Sequence, residues 1–211
     1  MNPITYIIDN VFLPFLNFSY HHIYPSYGVA IILLTLCVKL LFYKLTNKQF
    51  ESLKSTQRIQ PEMKKIQEKF KGQPEKIHSE LKKLWKENNA NPLAGCFPTI
   101  VQLPFFIAIF YAVKSVKFTA IIQQSDIYSG WLWLPDLSQS DGTYILPIMI
   151  ALLTFFSQKL SIVDKKQEKM MMFMPLIILV FCVGMPSGVL LYWLTSQMVS
   201  SVQQYYIMKN K

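Results

Sequence analysis

Five stretches of this chain are long, apolar and nearly free of charge: Ser26–Tyr43, Cys96–Val113, Thr143–Ser157, Met170–Met185 and Ser187–Ile207. A membrane-crossing helix needs roughly 17–25 residues, whereas buried helices of soluble proteins run nearer 10–14. The first, second and fifth stretches reach that length. The third and fourth span only with flanking residues such as Tyr144 and Gln158 at the interfaces. A soluble core helix would account for any one of them, but a chain of 211 residues has too little else to bury five. The predicted fold class is an all-α polytopic membrane protein, with five transmembrane helices and a cytosolic helical hairpin between the first two.

Charge placement orients that frame. The segment from Lys44 to Gly95 carries twelve Lys+Arg and six acids, Lys159 to Lys169 carries four lysines and two acids, and Lys209 and Lys211 follow the fifth stretch. Together these segments hold eighteen cations against eight acids, a net +10. The alternate segments are residues 1–25, Lys114–Gly142 and the turn after the fourth stretch. They hold two lysines against four acids, a net −2. Short loops rich in Lys and Arg stay in the cytosol, so the N-terminus is expected outside and the C-terminus inside. Lys39 alone lies within a stretch, and it completes the formal charge of +9. The basic excess therefore reports orientation, and no DNA partner is expected. An apolar content of 52% excludes disorder, and three cysteines exclude a disulfide scaffold.

Residues 1–25 lack the basic n-region of a signal peptide. Ile4, Ile7, Ile8, Val11, Phe12, Phe15 and Leu16 recur at helical spacing, while Asp9, Asn10, Pro14 and Asn17 argue against a sixth crossing. The segment reads either as an amphipathic helix on the outer surface or as a plain lead-in to the first span. That span is drawn as 26–46 and the hairpin as 47–90. The other four spans with short loops are drawn as 91–211, all within one domain. In the hairpin's first arm Phe50, Leu53, Ile59, Met63, Ile66 and Phe70 recur at three- and four-residue steps, and the second arm repeats this with Ile77, Leu81, Leu84 and Trp85. Gly72-Gln73-Pro74 separates them, with glycine suited to a helix end and proline to a first turn. The Lys/Glu-rich backs fit a solvated face first; the functional alternative is a platform for acidic headgroups, a ribosome or a targeting factor.

No Walker loop, dinucleotide fingerprint or His-Glu-x-x-His occurs. His21, His22 and His78 have no ligand spacing, so no metal and no cofactor is expected. Cys37, Cys96 and Cys182 read as plain buried thiols. No nucleophile–base pair stands out, so the chain is not expected to be an enzyme. The polar residues within the spans carry the information. Lys39 shares a helix face with Thr35 and Tyr43. A charge at mid-bilayer costs roughly 2.5–3.5 kcal/mol on insertion scales. Lys39 therefore either faces a wet cavity or snorkels to the interface. Gln102 fits a cavity wall or helix–helix glue. Tyr192, Trp193, Ser196 and Gln197 cluster on the fifth span, where Trp193 also fits an interfacial belt.

Several motifs follow one another along the chain: the run Gly28–Thr46, Gln60-Pro61, Asn91-Pro-Leu-Ala-Gly-Cys-Phe-Pro98 and Gln102-Leu-Pro104. They continue in Tyr144-Ile-Leu-Pro147, Met172-Phe-Met-Pro175, and Pro186-Ser-Gly188 followed by Leu191-Tyr-Trp193. In these motifs the chain resembles the YidC family of membrane protein insertases, and order and spacing match from about residue 15 to 207. The resemblance implies a five-helix core in a cell (inner) membrane, in the short form without a large outer domain. It implies a hydrophilic groove open to cytosol and lipid and closed outside. Members guide newly made membrane proteins into the bilayer, alone or with the Sec translocon. Carried over by position, Lys39 is the groove cation, and Gln102, Trp193, Tyr192, Thr35 and Ser196 are groove residues. The hairpin with Gln60 and Pro61 receives substrate. The implied partners are nascent membrane proteins, the lipid bilayer, the Sec translocon and the ribosome.

Two departures stand out. Lysine replaces the family's usual arginine at position 39, which keeps the sign but loses the guanidinium fork. The sequence stops at Lys211, which weighs against ribosome binding through a basic tail. Two other functions fit the polar pattern without the resemblance. One is a small anion transporter or channel through Lys39, and the other is a scaffold subunit of a membrane complex.

Overall fold

The structure, a computed structural model, describes residues 3–88, 90–91, 97–124, 131–161 and 165–209. In chain order its elements are α1 (Pro3–Ile7), a π-helical turn (Ile8–Phe12), α2 (Leu13–His22), α3 (Tyr27–Leu41), α4 (Tyr43–Arg58), α5 (Gln60–Lys69), α6 (Pro74–Glu87), α7 (Phe97–Val113), α8 (Val116–Gln124), α9 (Ile145–Ser161), α10 (Lys165–Val183) and α11 (Ser187–Lys209). The five apolar stretches fall on α3, α7, α9, α10 and α11. α11 is the hub: α3, α4, α7 and α9 pack around it, and α10 lies against α9. Ile31, Ile109, Val113, Ile150, Leu190 and Leu191 fill the space between them.

The outer faces of the same helices stay apolar. Leu40 and Leu41 of α3, Leu152 and Phe156 of α9, and Ile177 and Val180 of α10 are all exposed. Such a surface is unfavourable in water and suits lipid. Among the described residues no single helix is long and apolar enough to cross a membrane alone. α3 and α4 meet the length and hydropathy only as a pair, and that pair is bent by 65°. The bend falls at Phe42 (φ −94°, ψ 7°). It interrupts the helix drawn over 26–46 and moves Tyr43 onto α4, so the polar face shared with Thr35 and Lys39 ends at Lys39.

The N-terminal segment is helical from Pro3 to His22 with one widened turn. Pro14 has no N–H to offer the Asn10 carbonyl. The preceding turn opens, and the Leu13 N–H bonds Ile8 O, five residues back. The extra residue shifts the helix face. Ile8, Phe12, Leu13 and Leu16 are buried, while Ile7 and Val11 of the expected apolar stripe are exposed. The segment packs on α3 and α7, so its buried face joins the core.

The hairpin's first arm is two helices rather than one. Pro61 lacks an N–H for the Gln57 carbonyl, and the chain restarts as α5 after Ile59 (φ −86°, ψ 0°). Phe50, Leu53 and Ile59 are buried on this arm, and Leu81 and Leu84 on α6. α5 and α6 lie against each other. Gly72 turns between them at φ +89°, a left-handed conformation that favours glycine.

At the opposite end, residues 131–144 cap α11. The first N–H groups of a helix have no partner within it. Here Ser187 N donates to Gln139 O at 2.7 Å and Gly188 N to Leu137 O at 2.8 Å. A Cβ at Gly188 would stand 3.1 Å from the Leu137 carbonyl oxygen. The Trp131 ring lies over Gly28, where a Cβ would come within 2.3 Å of it. Asp141, 2% exposed, accepts bonds from the Thr143 hydroxyl and N–H and from Leu146 N. Burial pushes its pKa up, but these bonds outweigh burial and hold it below the usual carboxylate value.

Candidate functional site

Lys39 sits three residues before the α3–α4 bend and is half-buried. Its ammonium donates to Ser200 Oγ at 2.8 Å and to Gln102 Oε1 at 3.3 Å. An amide whose oxygen faces a cation must present its nitrogen elsewhere. The Gln102 nitrogen donates to the Tyr192 hydroxyl, on a ring that is 1% exposed. One cation on α3 thus links α7 to α11. Among the described residues no carboxylate pairs with Lys39. Its acceptors are neutral, so they satisfy N–H groups without cancelling the charge.

Lys39 also lines a cavity of about 30 Å³ with Phe42, Thr46, Gln49, Gln102 and Ser200. A water needs about 10–15 Å³, so the space admits one or two. Below it, α11 is tied to its neighbours by a polar seam. Gln197 Nε2 donates to Thr154 Oγ1 at 2.8 Å, and the Ser157 and Ser201 hydroxyls meet at 2.6 Å. Gln203 Nε2 donates to Tyr43 O at 3.1 Å, and Lys54 Nζ donates to Ile207 O at 2.7 Å. The last two bonds fasten the base of the hairpin to the end of α11.

A family model described as 60Kd inner membrane protein matches residues 18–211. The chain belongs to that family. The membrane protein insertase YidC of Syntrophus aciditrophicus is 37% identical to it over 196 residues, 92% of this chain and 35% of that protein. The YidC of Magnetococcus marinus is 39% identical over 196 residues, 92% of this chain and 34% of that protein. A crystal structure of an active YidC insertase with its first transmembrane domain resolved superimposes with a TM-score of 0.75 at 25% identity. The match covers 98% of this chain and 47% of that one. The chain therefore spans about a third of the length of these curated relatives. An all-helical YidC-like fold is shared across nearly the whole chain.

In this member of the 60Kd inner membrane protein family, Lys39, Gln102 and Tyr192 meet in one network. Thr35 does not join them: it is fully buried, and its hydroxyl bonds Ile31 O at 2.7 Å on its own helix. Trp193 meets the Phe106 ring edge-on at 5.4 Å, and Ser196 is buried. Neither is among the cavity's lining residues. Gln60 and Pro61 form the first turn of α5. Cys182 is buried as expected but Cys37 is exposed on α3. Cys96 and residues 92–95 of the Asn91–Pro98 motif lie outside the described residues. Ser200 is a site residue the motifs missed. It lies eight residues after Tyr192 and four after Ser196, so a row of polar residues at four-residue steps would have found it.

Proposed function

We propose that this chain is the core of a membrane protein insertase, lowering the barrier for newly made membrane proteins to enter the bilayer. The observation that carries the proposal is the uncancelled charge of Lys39, held by neutral acceptors beside a small polar cavity within an apolar, lipid-suited bundle. An acidic N-terminal tail is drawn to that charge. The tail's apolar neighbour then passes between α7 and α11 into lipid, where each Å² of apolar surface removed from water gains about 25 cal/mol. The protein lowers a barrier and performs no covalent chemistry.

In this reading α3, α7, α9, α10 and α11 cross the membrane, the N-terminus lies outside and the α4–α6 hairpin lies in the cytosol. The charge asymmetry of the loops supports that orientation. α3 rises about 22 Å over its helical residues, against a hydrocarbon thickness of about 30 Å. Short helices favour a locally thinned bilayer, which shortens the path of a polar tail. The loop that caps α11 supports closure on the outside. The cavity is too small for a polypeptide, so entry requires the hairpin base to release its bonds to α11. Partners are nascent membrane proteins, with the Sec translocon and the ribosome acting beside it for some substrates.

The test is reconstitution. Purified protein in liposomes is expected to insert a short single-span substrate, scored by protease protection. Insertion no greater than in protein-free liposomes would overturn the proposal. Reporter fusions that place the Lys114–Gly142 loop in the cytosol would overturn the orientation.

A further inference from the structure

We infer that a groove between the N-terminal helix and α8, at the end of the bundle away from the hairpin, binds the headgroup of an ethanolamine phospholipid. The groove is lined by Asp9, Leu13, Pro14, Asn17 and Lys117 and has a volume of about 550 Å³. It is open to the surface rather than enclosed, so a headgroup can enter it without displacing the fold. Local structure brings its charges together from distant parts of the chain. The π turn forced by Pro14 carries Asp9. Ser115 caps α8 by accepting the Phe118 N–H, which sets Lys117 in the first turn. Lys117 Nζ and Asp9 Oδ1 meet at 2.9 Å, with both side chains still partly open, at 64% and 32%.

The chemistry selects the occupant. An ion pair this exposed contributes little to stability, so exchanging it for intermolecular partners costs little. An ethanolamine headgroup carries the complementary pair, a phosphate for Lys117 and a primary ammonium that donates to the Asp9 carboxylate. Asn17 accepts from the Tyr27 hydroxyl through Oδ1 at 3.3 Å. That orients its amide nitrogen as a second donor for phosphate. Choline cannot donate a hydrogen bond to Asp9. A purely anionic headgroup leaves Asp9 unpaired and repelled. Pro14 in the lining, with exposed Val11 and Val116 nearby in the chain, supplies apolar surface for the glycerol and acyl chains. The inference rests on the membrane reading above but not on insertase activity.

The experiment uses the full chain in detergent micelles, titrated with dioleoyl phosphatidylethanolamine, phosphatidylcholine or phosphatidylglycerol, with retained lipid counted by native mass spectrometry. The ethanolamine lipid is expected to bind about tenfold more tightly than either other, the equivalent of one charge-assisted hydrogen bond. Asp9→Asn should abolish the preference over choline, and Lys117→Gln should weaken all three lipids. Circular dichroism of both variants confirms that they fold. Equal binding of the three lipids by the wild type, or an unchanged preference in folded Asp9→Asn, would overturn the inference. Because binding is read in detergent, a failure of liposome insertion leaves this result independent.

Discussion

Replacing Lys39 with methionine separates the charge from the fold. The substitution keeps most of the side-chain volume and removes the ammonium. If α3 crosses the membrane as proposed, removing its charge relieves about 2.5–3.5 kcal/mol on insertion scales. It also breaks the bonds to Ser200 and Gln102. Hydrogen bonds to charged groups contribute about 1.5–3 kcal/mol each, with the longer one at the low end. The freed acceptors open on a cavity that admits water. These effects nearly cancel, so stability should change by no more than about 1 kcal/mol, a shift of about 2–4 °C in Tm for a chain of this size. Function should change far more. A substrate carboxylate about 5 Å from the ammonium gains about 3 kcal/mol at an effective dielectric of about 20. Half of that is about a tenfold preference. The assay pairs two single-span substrates, one with an aspartate-bearing tail and one with asparagine in its place. Wild type and Lys39→Arg should prefer the acidic tail, and Lys39→Met should insert both alike. A Lys39→Met variant that keeps the preference refutes the electrostatic reasoning. So does one that loses insertion of both substrates in step with a large fall in Tm.

Gly28→Ala should destabilise the protein by about 1–3 kcal/mol, the usual range for overpacking, because its Cβ would fall 2.3 Å from the Trp131 ring; thermal melts followed by tryptophan fluorescence check this, and an unchanged Tm would contradict it. Asp141 has a folded pKa below its unfolded value. Its contribution is therefore complete above the unfolded pKa of about 4 and is lost as pH falls through the folded one. Asp141→Asn should lower stability near neutrality and flatten the decline of Tm under acid, and parallel wild-type and variant curves across that window would count against the assignment.

Five of the helices are legible as apolar stretches bounded by charged segments. The same contrast exposed Lys39, Gln102 and Tyr192, since polar groups are conspicuous in apolar surroundings. Ser200 escaped because a lone serine in a helix is unremarkable until its four-residue register with Tyr192 is counted. The bend at Phe42 was not legible at all. Leu41-Phe42-Tyr43 contains no proline or glycine, and what holds the bend is tertiary: the Phe42 and Phe105 rings meet at 5.3 Å, and Gln203 bonds the Tyr43 carbonyl. The break before α5 and the π turn were legible in principle. Each precedes or contains a proline whose missing N–H orphans a carbonyl four residues back, a signal that apolar periodicity alone does not register.

Lys39 and Asp141 show two ways of holding a charge within the fold. Asp141 has both oxygens bonded to donors on its own loop and the start of α9, so nothing remains for a ligand. The Lys39 ammonium has three N–H groups and two acceptors among the described residues. A donor is left beside the cavity, and among the described residues no counter-charge quenches it. If that uncancelled charge is what attracts substrate, then supplying a counter-charge should abolish function without breaking the fold. Ser200→Asp does this, because the present hydroxyl already stands 2.8 Å from the ammonium. The new carboxylate would form a bridge tying α3 to α11 while neutralising the site. Stability should hold or rise, and the preference for acidic tails should vanish as it does in Lys39→Met. A Ser200→Asp variant that folds normally and still prefers the acidic tail would show that the attraction originates elsewhere in the molecule.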